Sequence, residues 1–399
     1  MSECIAIIPA RGGSKGIPRK NLLSVAGRPL MSYVLGEALA AKRVSRVVVS
    51  TDDAEIAAVA RGAGAGVVER PVEISGDGAS SEAALTHALA DLEKRDGYRP
   101  DLMVMLQCTS PLTLAKDIDG AIATMLDEGG DSCFSASPFF HFLWRREAGG
   151  AAAGIGHDAT RRQRRQDMEP RYLENGAIYV MRTEGFRKSQ FRFFGKTVIH
   201  AMPAERHLEI DDPADVALAA LRLRERDHAR RGEMLPRRIG ALIMDFDGVL
   251  TDNGVLVGQD GGETVRCDRG DGLGIEMLRQ RGLRMTVISK EINPVVAARC
   301  RKLQLECAHG VDDKLPLMRA WLDKHGIPVE EAVYVGNDVN DLGCLAAAAC
   351  GVVPADAHPA ARGAANIVLG EAGGRGAVRE LCDLIAQGQD AGRIVITSP

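Results

Sequence analysis

The chain has 399 residues, 26% charged and 45% hydrophobic, an ordinary globular composition long enough for two or three separate cores. Fifty basic residues against fifty-four acidic ones give a net charge of −4, which excludes a general electrostatic pull toward nucleic acid or an anionic membrane surface. No stretch approaches the roughly 18 consecutive apolar residues that a bilayer crossing needs, and the opening MSECIAIIPARGG has no basic segment followed by a long apolar one. A cytoplasmic protein with neither membrane nor nucleic-acid partner is therefore expected. The nine cysteines (Cys4, Cys108, Cys133, Cys267, Cys300, Cys307, Cys344, Cys350 and Cys382) are odd in number and scattered without a C-x-x-C pair, so reduced, mostly buried thiols are expected.

In chain order, the first 220 residues alternate short apolar runs with amphipathic stretches: IAIIPA, a helix over 29–41, RVVVSTD, a helix near 53–62, another near 81–95, then LMVMLQ. This is a βαβ rhythm and predicts a mostly parallel sheet covered on both faces. Residues 146–167, REAGGAAAGIGHDATRRQRRQD, are glycine-rich and then basic, and read as a mobile loop carrying cations. A helix begins at Pro213, where the missing N–H costs nothing, and runs into GEMLPRR, which reads as a linker. A second alternation starts at residue 239: IGALIMDFDG, a hairpin over 253–266, a helix near 271–281, RMTVISK, a helix near 294–303, and AVYVGND. The fold class expected is two doubly wound three-layer α/β domains in series, over 1–225 and 239–399, joined by a linker at 226–238.

Two stretches carry chemistry. In PARGGSKGIPRKN, glycines 12, 13 and 16 let backbone N–H groups approach an anion, and Arg11, Lys15 and Lys20 supply cationic donors at the end of the first strand, where such sheets bind ligands. It is not the G-x-x-x-x-G-K-[ST] phosphate loop. STDD (50–53), ERP (69–71), GASSE (78–82) and LQCTSPL (106–112) follow or flank further strands and can meet at the same rim. In LIMDFDGVLTD, Asp245 and Asp247 are two apart at the end of an apolar strand, so both carboxylates point the same way. Such a pair suits a nucleophile and a general acid.

The motifs R-x-x-S-K-G-x-P-x-K-N, Q-x-T-S-P, R-R-Q and N-G-x-x-Y recur in order between residues 4 and 225, and this half resembles the CMP-sialic acid synthetases (acylneuraminate cytidylyltransferases). That resemblance implies a nucleotide-diphospho-sugar transferase fold and attack of the anomeric hydroxyl of an acidic nine-carbon sugar on the α-phosphate of CTP, with pyrophosphate leaving. It places Arg11, Ser14, Lys15, Asn21, Arg70 and Ser81 at the nucleotide, and Gln107, Thr109, Ser110, Arg162 and Arg164 at the sugar. Lys20 and Arg165 become the cations acting on the reacting phosphates. Charge builds on phosphoryl oxygens, so Mg²⁺ is expected there, held by Asp211 and Glu209 of HLEIDDPAD. The family shows Asp-x-Asp at this place. Glu209 is one methylene longer, which makes Asp211 the better candidate for the strict 2.0–2.1 Å shell of Mg²⁺.

The second half, over 239–386, resembles the haloacid dehalogenase superfamily, and within it the Kdo-8-phosphate and Kdn-9-phosphate phosphatases. Further matches are RGDGLGIEML (269–278), VIS ending at Ser289, DDK ending at Lys314, VGNDVND (335–341) and GGRGAVRE (373–380). The likeness implies that Asp245 forms an aspartyl-phosphate, Asp247 protonates the leaving oxygen, and Ser289 with Lys314 holds the phosphoryl group. Mg²⁺ would be bound by Asp245, the carbonyl of Asp247, and the 336–341 loop. Where the phosphatases have Gly-Asp-Asp this chain has Gly336-Asn337-Asp338, so Asn337 would coordinate through its amide oxygen, with the missing charge left to Asp338 or Asp341. The small insertion between Asp252 and Ser289 is no large cap, and capless relatives close their sites by assembly. A homo-oligomer is expected, dimeric through the first domain and tetrameric through the second.

The substrates implied are CTP and a sialic acid or its 9-phosphate, in consecutive steps. The animal synthetases share this two-domain order but are degraded at the first aspartate, which is present here. Two alternatives stand beside an active phosphatase: a catalytically weak C-terminal module serving assembly or regulation, and the same chemistry on another ulosonic acid such as Kdo, legionaminic or pseudaminic acid.

Overall fold

The computed structural model describes residues 3–13, 16–76 and 78–397. The chain divides into two compact units, residues 1–224 and 225–399, and both are doubly wound α/β layers.

The first unit is built on a seven-stranded sheet in the spatial order Thr197–Ala201, Ser132–Pro138, Tyr172–Arg182, Leu102–Leu106, Cys4–Pro9, Arg46–Thr51, Gly66–Glu69. Tyr172–Arg182 runs antiparallel to both neighbours, and the other pairings are parallel. Helices cover both faces, so the central strand is apolar on each: Ile5 and Ile7 enter one core, Cys4, Ala6 and Ile8 the other. Asp53 caps helix Ala54–Gly62 by accepting from the N–H groups of Glu55 (2.8 Å) and Ile56 (3.0 Å), and Ser80 caps helix Ser81–Asp96. From Cys4–Pro9 the chain moves to Arg46–Thr51 on one side and returns to Leu102–Leu106 on the other. The carboxyl ends of Cys4–Pro9 and Leu102–Leu106 therefore flank a crevice, the usual ligand position in such sheets.

Helix Pro213–Glu233 packs Ala219 and Leu223 against Ile17, Leu30 and Ile210. It continues through the first eight residues of the expected linker, because RDHARRGE contains no breaker before Gly232. Only residues 234–237 are irregular before the strand Arg238–Ile239.

The second unit carries a six-stranded, wholly parallel sheet in the order Glu306–Ala308, Arg284–Ile288, Ala241–Met244, Ala332–Val335, Cys350–Val353, Ile367–Val368. Alternate residues of Ala241–Met244 again feed two cores. The expected hairpin forms from Thr251–Val257 and Glu263–Cys267, with Val255, Leu256 and Val257 exposed. All nine cysteines are free and seven are buried. Among the described residues no helix is long and apolar enough to cross a membrane.

Candidate functional site

In the first unit a cavity of about 400 Å³ opens at the carboxyl end of Cys4–Pro9, walled by Arg11, Lys20, Asn21, Arg70, Ser81, Gln107 and Thr109 among others. Sequence motifs up to 98 residues apart thus meet at the crevice. Gly16 belongs here for a steric reason, since a Cβ would lie 2.9 Å from the Asp211 carbonyl oxygen. Asn21 donates its amide to the Arg11 carbonyl (2.9 Å) and holds the loop's shape, while the Arg11 guanidinium donates to the Gly76 carbonyl (2.9 Å). Arg70 is 8% exposed and donates to Ser50 through its carbonyl (2.6 Å) and hydroxyl (3.2 Å). Burial pulls its pKa down and Asp52 pushes it back up, yet a guanidinium keeps its charge in either case. Ser14 and Lys15 lie outside the described residues.

The carboxylate side of the same site is tightly braced. Lys20 Nζ donates to the Ile210 carbonyl (2.7 Å) and pairs with Asp211 Oδ1 (3.3 Å). With its amide oriented to satisfy both neighbours, Gln107 donates to the Gly176 carbonyl (2.9 Å) and to Glu209 Oε1 (3.1 Å). Thr109 Oγ1 donates to that same oxygen at 3.4 Å. Burial, then the nearby Asp211 charge, raises the Glu209 carboxyl above its usual range. Gly176, of the N-G-x-x-Y motif, has φ +67° and would place a Cβ 2.8 Å from Glu209 Oε2, so no other residue fits. Asp211 is the more open carboxylate, its side chain 72% exposed against half-burial for Glu209. Oxygen donors of this kind suit Mg²⁺, with Asp211 the freer of the two.

Two groups expected at the sugar are placed differently. Ser110 is buried in a turn, its carbonyl accepting from Thr113 Oγ1 (2.9 Å), and it is not part of the cavity wall. Arg162, Arg164 and Arg165 line a second cleft with Phe140, Phe142 and Met168. Arg162 lies 4.9 Å from the Phe142 ring centre, Arg165 lies 4.1 Å from that of Phe140, and Arg164 pairs with Asp167 at 2.8 Å. Within one chain these cations are held by aromatic faces and a carboxylate rather than at the triphosphate loop.

The second unit concentrates charge at the carboxyl end of Ala241–Met244. A cavity of about 420 Å³ is walled by Asp245, Asp247, Ser289, Glu291 and Asn340 among others. Behind Asp245 sits Lys314, its side chain 1% exposed, with Nζ 2.7 Å from Asp245 Oδ2 and 2.8 Å from Asp341 Oδ1. Asp341 is completely buried; it also accepts from Tyr334 OH (2.7 Å) on Oδ1 and from the N–H groups of Asn337 (2.8 Å) and Asp338 (3.3 Å) on Oδ2. Burial and the Asp341 charge push the Asp245 carboxyl well up, and Lys314 draws it back. Burial also raises Asp247, whose Oδ1 accepts from Thr251 Oγ1 at 3.2 Å. Burial raises both carboxyls, and only Asp245 has an ammonium set against it, an asymmetry that suits one acid and one nucleophile.

The 336–341 loop corrects one expectation. Both Asp341 oxygens are occupied by four protein donors, so Asp341 organises Lys314 and cannot make good the charge lost at Asn337. Asp338 accepts from the Val339 N–H (2.7 Å) and remains open to solvent. Among the described residues no three His, Cys, Asp or Glu side chains form a group that could hold a metal. The donors expected for Mg²⁺ remain the Asp245 carboxylate, the residue 247 carbonyl and the Asn337 amide oxygen, with Asp338. Asn337 leans on Gly248 (φ +72°), where a Cβ would lie 1.8 Å from its Nδ2. The GGRG segment packs on the same turn, since a Cβ on Gly373 would lie 2.0 Å from the Gly248 carbonyl oxygen. Ser289 is 1% exposed, and its Oγ accepts from the Glu291 N–H at 3.0 Å. Tyr334, Thr251 and Glu291 were not singled out in the sequence; only Thr251, four residues after Asp247 in the same motif, carried a local signal.

A glycine-rich cationic loop at the crevice of a doubly wound sheet, facing amide and hydroxyl groups from the adjacent strand, defines a nucleotidyltransferase. A cytidylyltransferase family model matches residues 5–141. N-acylneuraminate cytidylyltransferase A of Danio rerio is 32% identical over 387 residues, covering 95% of this chain and 88% of the relative. The N-acylneuraminate cytidylyltransferase of Streptococcus agalactiae is 32% identical over 217 residues, 53% of this chain and 51% of that one. The chain belongs to the N-acylneuraminate cytidylyltransferase family. Among solved structures, the 3-deoxy-D-manno-octulosonate 8-phosphate phosphatase of Moraxella catarrhalis is 29% identical, covering 41% of this chain and 95% of its own, with a TM-score of 0.38.

Proposed function

We propose that the first unit transfers CMP from CTP to an N-acylneuraminate or Kdn, releasing pyrophosphate, and that the second removes the 9-phosphate of the same sugar beforehand. The observation that carries the first half is the single cavity in which Arg11, Lys20 and Arg70 face Gln107 and Thr109. In this reading Arg11, Ser14, Lys15, Asn21, Arg70 and Ser81 hold the nucleotide, Gln107 and Thr109 orient the sugar, and Lys20 balances charge at the reacting phosphate. Glu209, raised in pKa and hydrogen-bonded to both sugar-orienting residues, stands where it can receive the proton of the attacking hydroxyl. Arg162, Arg164 and Arg165 would meet substrate only through an assembly, which agrees with a dimer formed by this unit; Leu143 and Trp144, both about half exposed on the hairpin before the loop, offer it apolar surface.

In the second unit, an Asp245 oxygen attacks phosphorus, the sugar O9 leaves with the proton of Asp247, and water then releases phosphate from the aspartyl ester. Lys314 draws the Asp245 carboxyl back toward its ionised form, and Ser289 meets the phosphoryl oxygens. Mg²⁺, where bound at either site, supplies positive charge to developing phosphoryl oxygens. The supporting observation is the fully buried Asp245–Lys314–Asp341 group, whose assembly has no simpler structural use. A scaffold reading is favoured by one feature, the exposed Val255–Leu256–Val257 edge of the hairpin, which suits tetramer formation.

The test follows phosphate release from the 9-phosphates of N-acetylneuraminate and Kdn alongside CMP-sugar formation, in the intact protein and in Asp245→Asn. Loss of release with CMP transfer intact supports two active sites. Normal CMP transfer with no release in the intact protein leaves the second unit as a scaffold.

A further inference from the structure

At the amino ends of the second unit's strands, on the rim opposite Asp245 and Ser289, lies a cavity of about 260 Å³ walled by Arg279, Arg284, Gln304, Glu306 and Trp321. The geometry points to a binding site here for a small oxyanion, a phosphate or carboxylate group on a compact ligand.

Among the described residues no carboxylate pairs with Arg279 or Arg284. Arg284 opens the strand Arg284–Ile288, and its Nε is shut off from solvent without a hydrogen-bond partner. Buried donors are nearly always satisfied, and an unsatisfied guanidinium nitrogen is costly. Two unpaired guanidinium forks on one wall match the paired oxygens of phosphate or carboxylate.

The one acidic group on the wall does not cancel them. Glu306 has partners of its own: Oε2 accepts from Trp321 Nε1 at 3.0 Å and lies 3.9 Å from Lys324, while Oε1 lies 3.6 Å from His325. The end of helix Arg269–Gln280 is also quenched, because the carbonyls of Met277, Leu278 and Arg279 accept from the N–H groups of Arg281, Leu283 and Gly282. What remains facing the cavity is net positive, with an indole beside it. A volume near 260 Å³ admits a phosphate or a monosaccharide acid.

The site brings its own reporter. The chain has two tryptophans, and Trp144→Phe leaves Trp321 alone in the cavity wall. Its emission is followed at constant ionic strength while inorganic phosphate is added, and in a separate arm glucuronate; the responding arm identifies the source of the oxyanion. A saturable change is expected that survives Asp245→Asn, and whose midpoint rises about tenfold in Arg279→Gln and again in Arg284→Gln. Arg279 is exposed, so its variant keeps the test valid should Arg284→Gln fail to fold. Absence of a saturable response to both anions, or a response unmoved by Arg279→Gln, overturns the assignment.

Discussion

Replacing Lys314 by Met removes the one positive charge between two buried carboxylates. Its contacts are 2.7 and 2.8 Å, and all three side chains are at most 6% exposed. Removing one partner of a buried pair costs about 3–5 kcal/mol. The loss should not double, because Asp341 retains the Tyr334 hydroxyl and two backbone N–H donors while Asp245 retains only that of Phe246. The penalty therefore falls mainly on Asp245, and Lys314→Met with Asp245→Asn should regain about half of it, a coupling that a double-mutant cycle isolates. Urea unfolding of chelator-treated protein in the Trp144→Phe background reads this unit through Trp321. The sign with pH follows from burial. Without Lys314 the Asp245 carboxyl rises further, so the folded state binds more protons than the unfolded one between the unfolded value near 4 and the raised folded value. The deficit relative to the intact protein, whose own Asp245 carboxyl is already pushed up to about 7, should be complete above the variant's folded pKa and should shrink as pH falls toward 7. A deficit below about 1 kcal/mol, flat with pH, would refute the claim that the three charges form one buried unit.

Three further outcomes are expected. Gly248→Ala forces a Cβ to within 1.8 Å of Asn337 Nδ2 at φ +72°; phosphate release should fall about a hundredfold while CMP transfer is unchanged, assayed side by side. Asn337→Asp adds a carboxylate beside Asp245 and should lower the Mg²⁺ concentration for half-maximal phosphate release about tenfold, a magnesium titration being the measurement. Arg70→Met removes a buried cation from the nucleotide cavity and should raise KM for CTP about tenfold or more with a smaller change in kcat, by initial rates.

What the sequence disclosed was set by how local each cause is. Asp245 and Asp247 share a face because strand residues two apart must, and the order of glycines and cations around residues 11–21 marks a loop at a strand end without any tertiary knowledge. The roles inside VGNDVND were not legible in the same way. Three carboxamide or carboxylate side chains at 337, 338 and 341 look equivalent in one dimension. Tyr334 and Lys314, arriving from a strand and a helix elsewhere, decide that Asp341 turns inward and becomes an acceptor for four donors. The setting of the arginine cluster at 162–165 was hidden for a related reason. Its composition matches anion binding, but nearby Phe140 and Phe142 supply competing faces that only the fold brings into range. Helix continuation past residue 225 is likewise a matter of what is missing, since charged residues propagate a helix as well as they fill a linker.

The Tyr334–Asp341–Lys314 arrangement ties the fate of the protein to that of its chemistry. Because these groups are buried, a substitution that disturbs them lowers the stability of the unit as well as its turnover. In a living cell such alleles would show as scarce protein cleared by proteases. Alleles at the half-buried Glu291 or Asp338 would show the reverse, abundant protein that works poorly. Abundance measured beside activity thus sorts inherited variants of this half by depth in the fold.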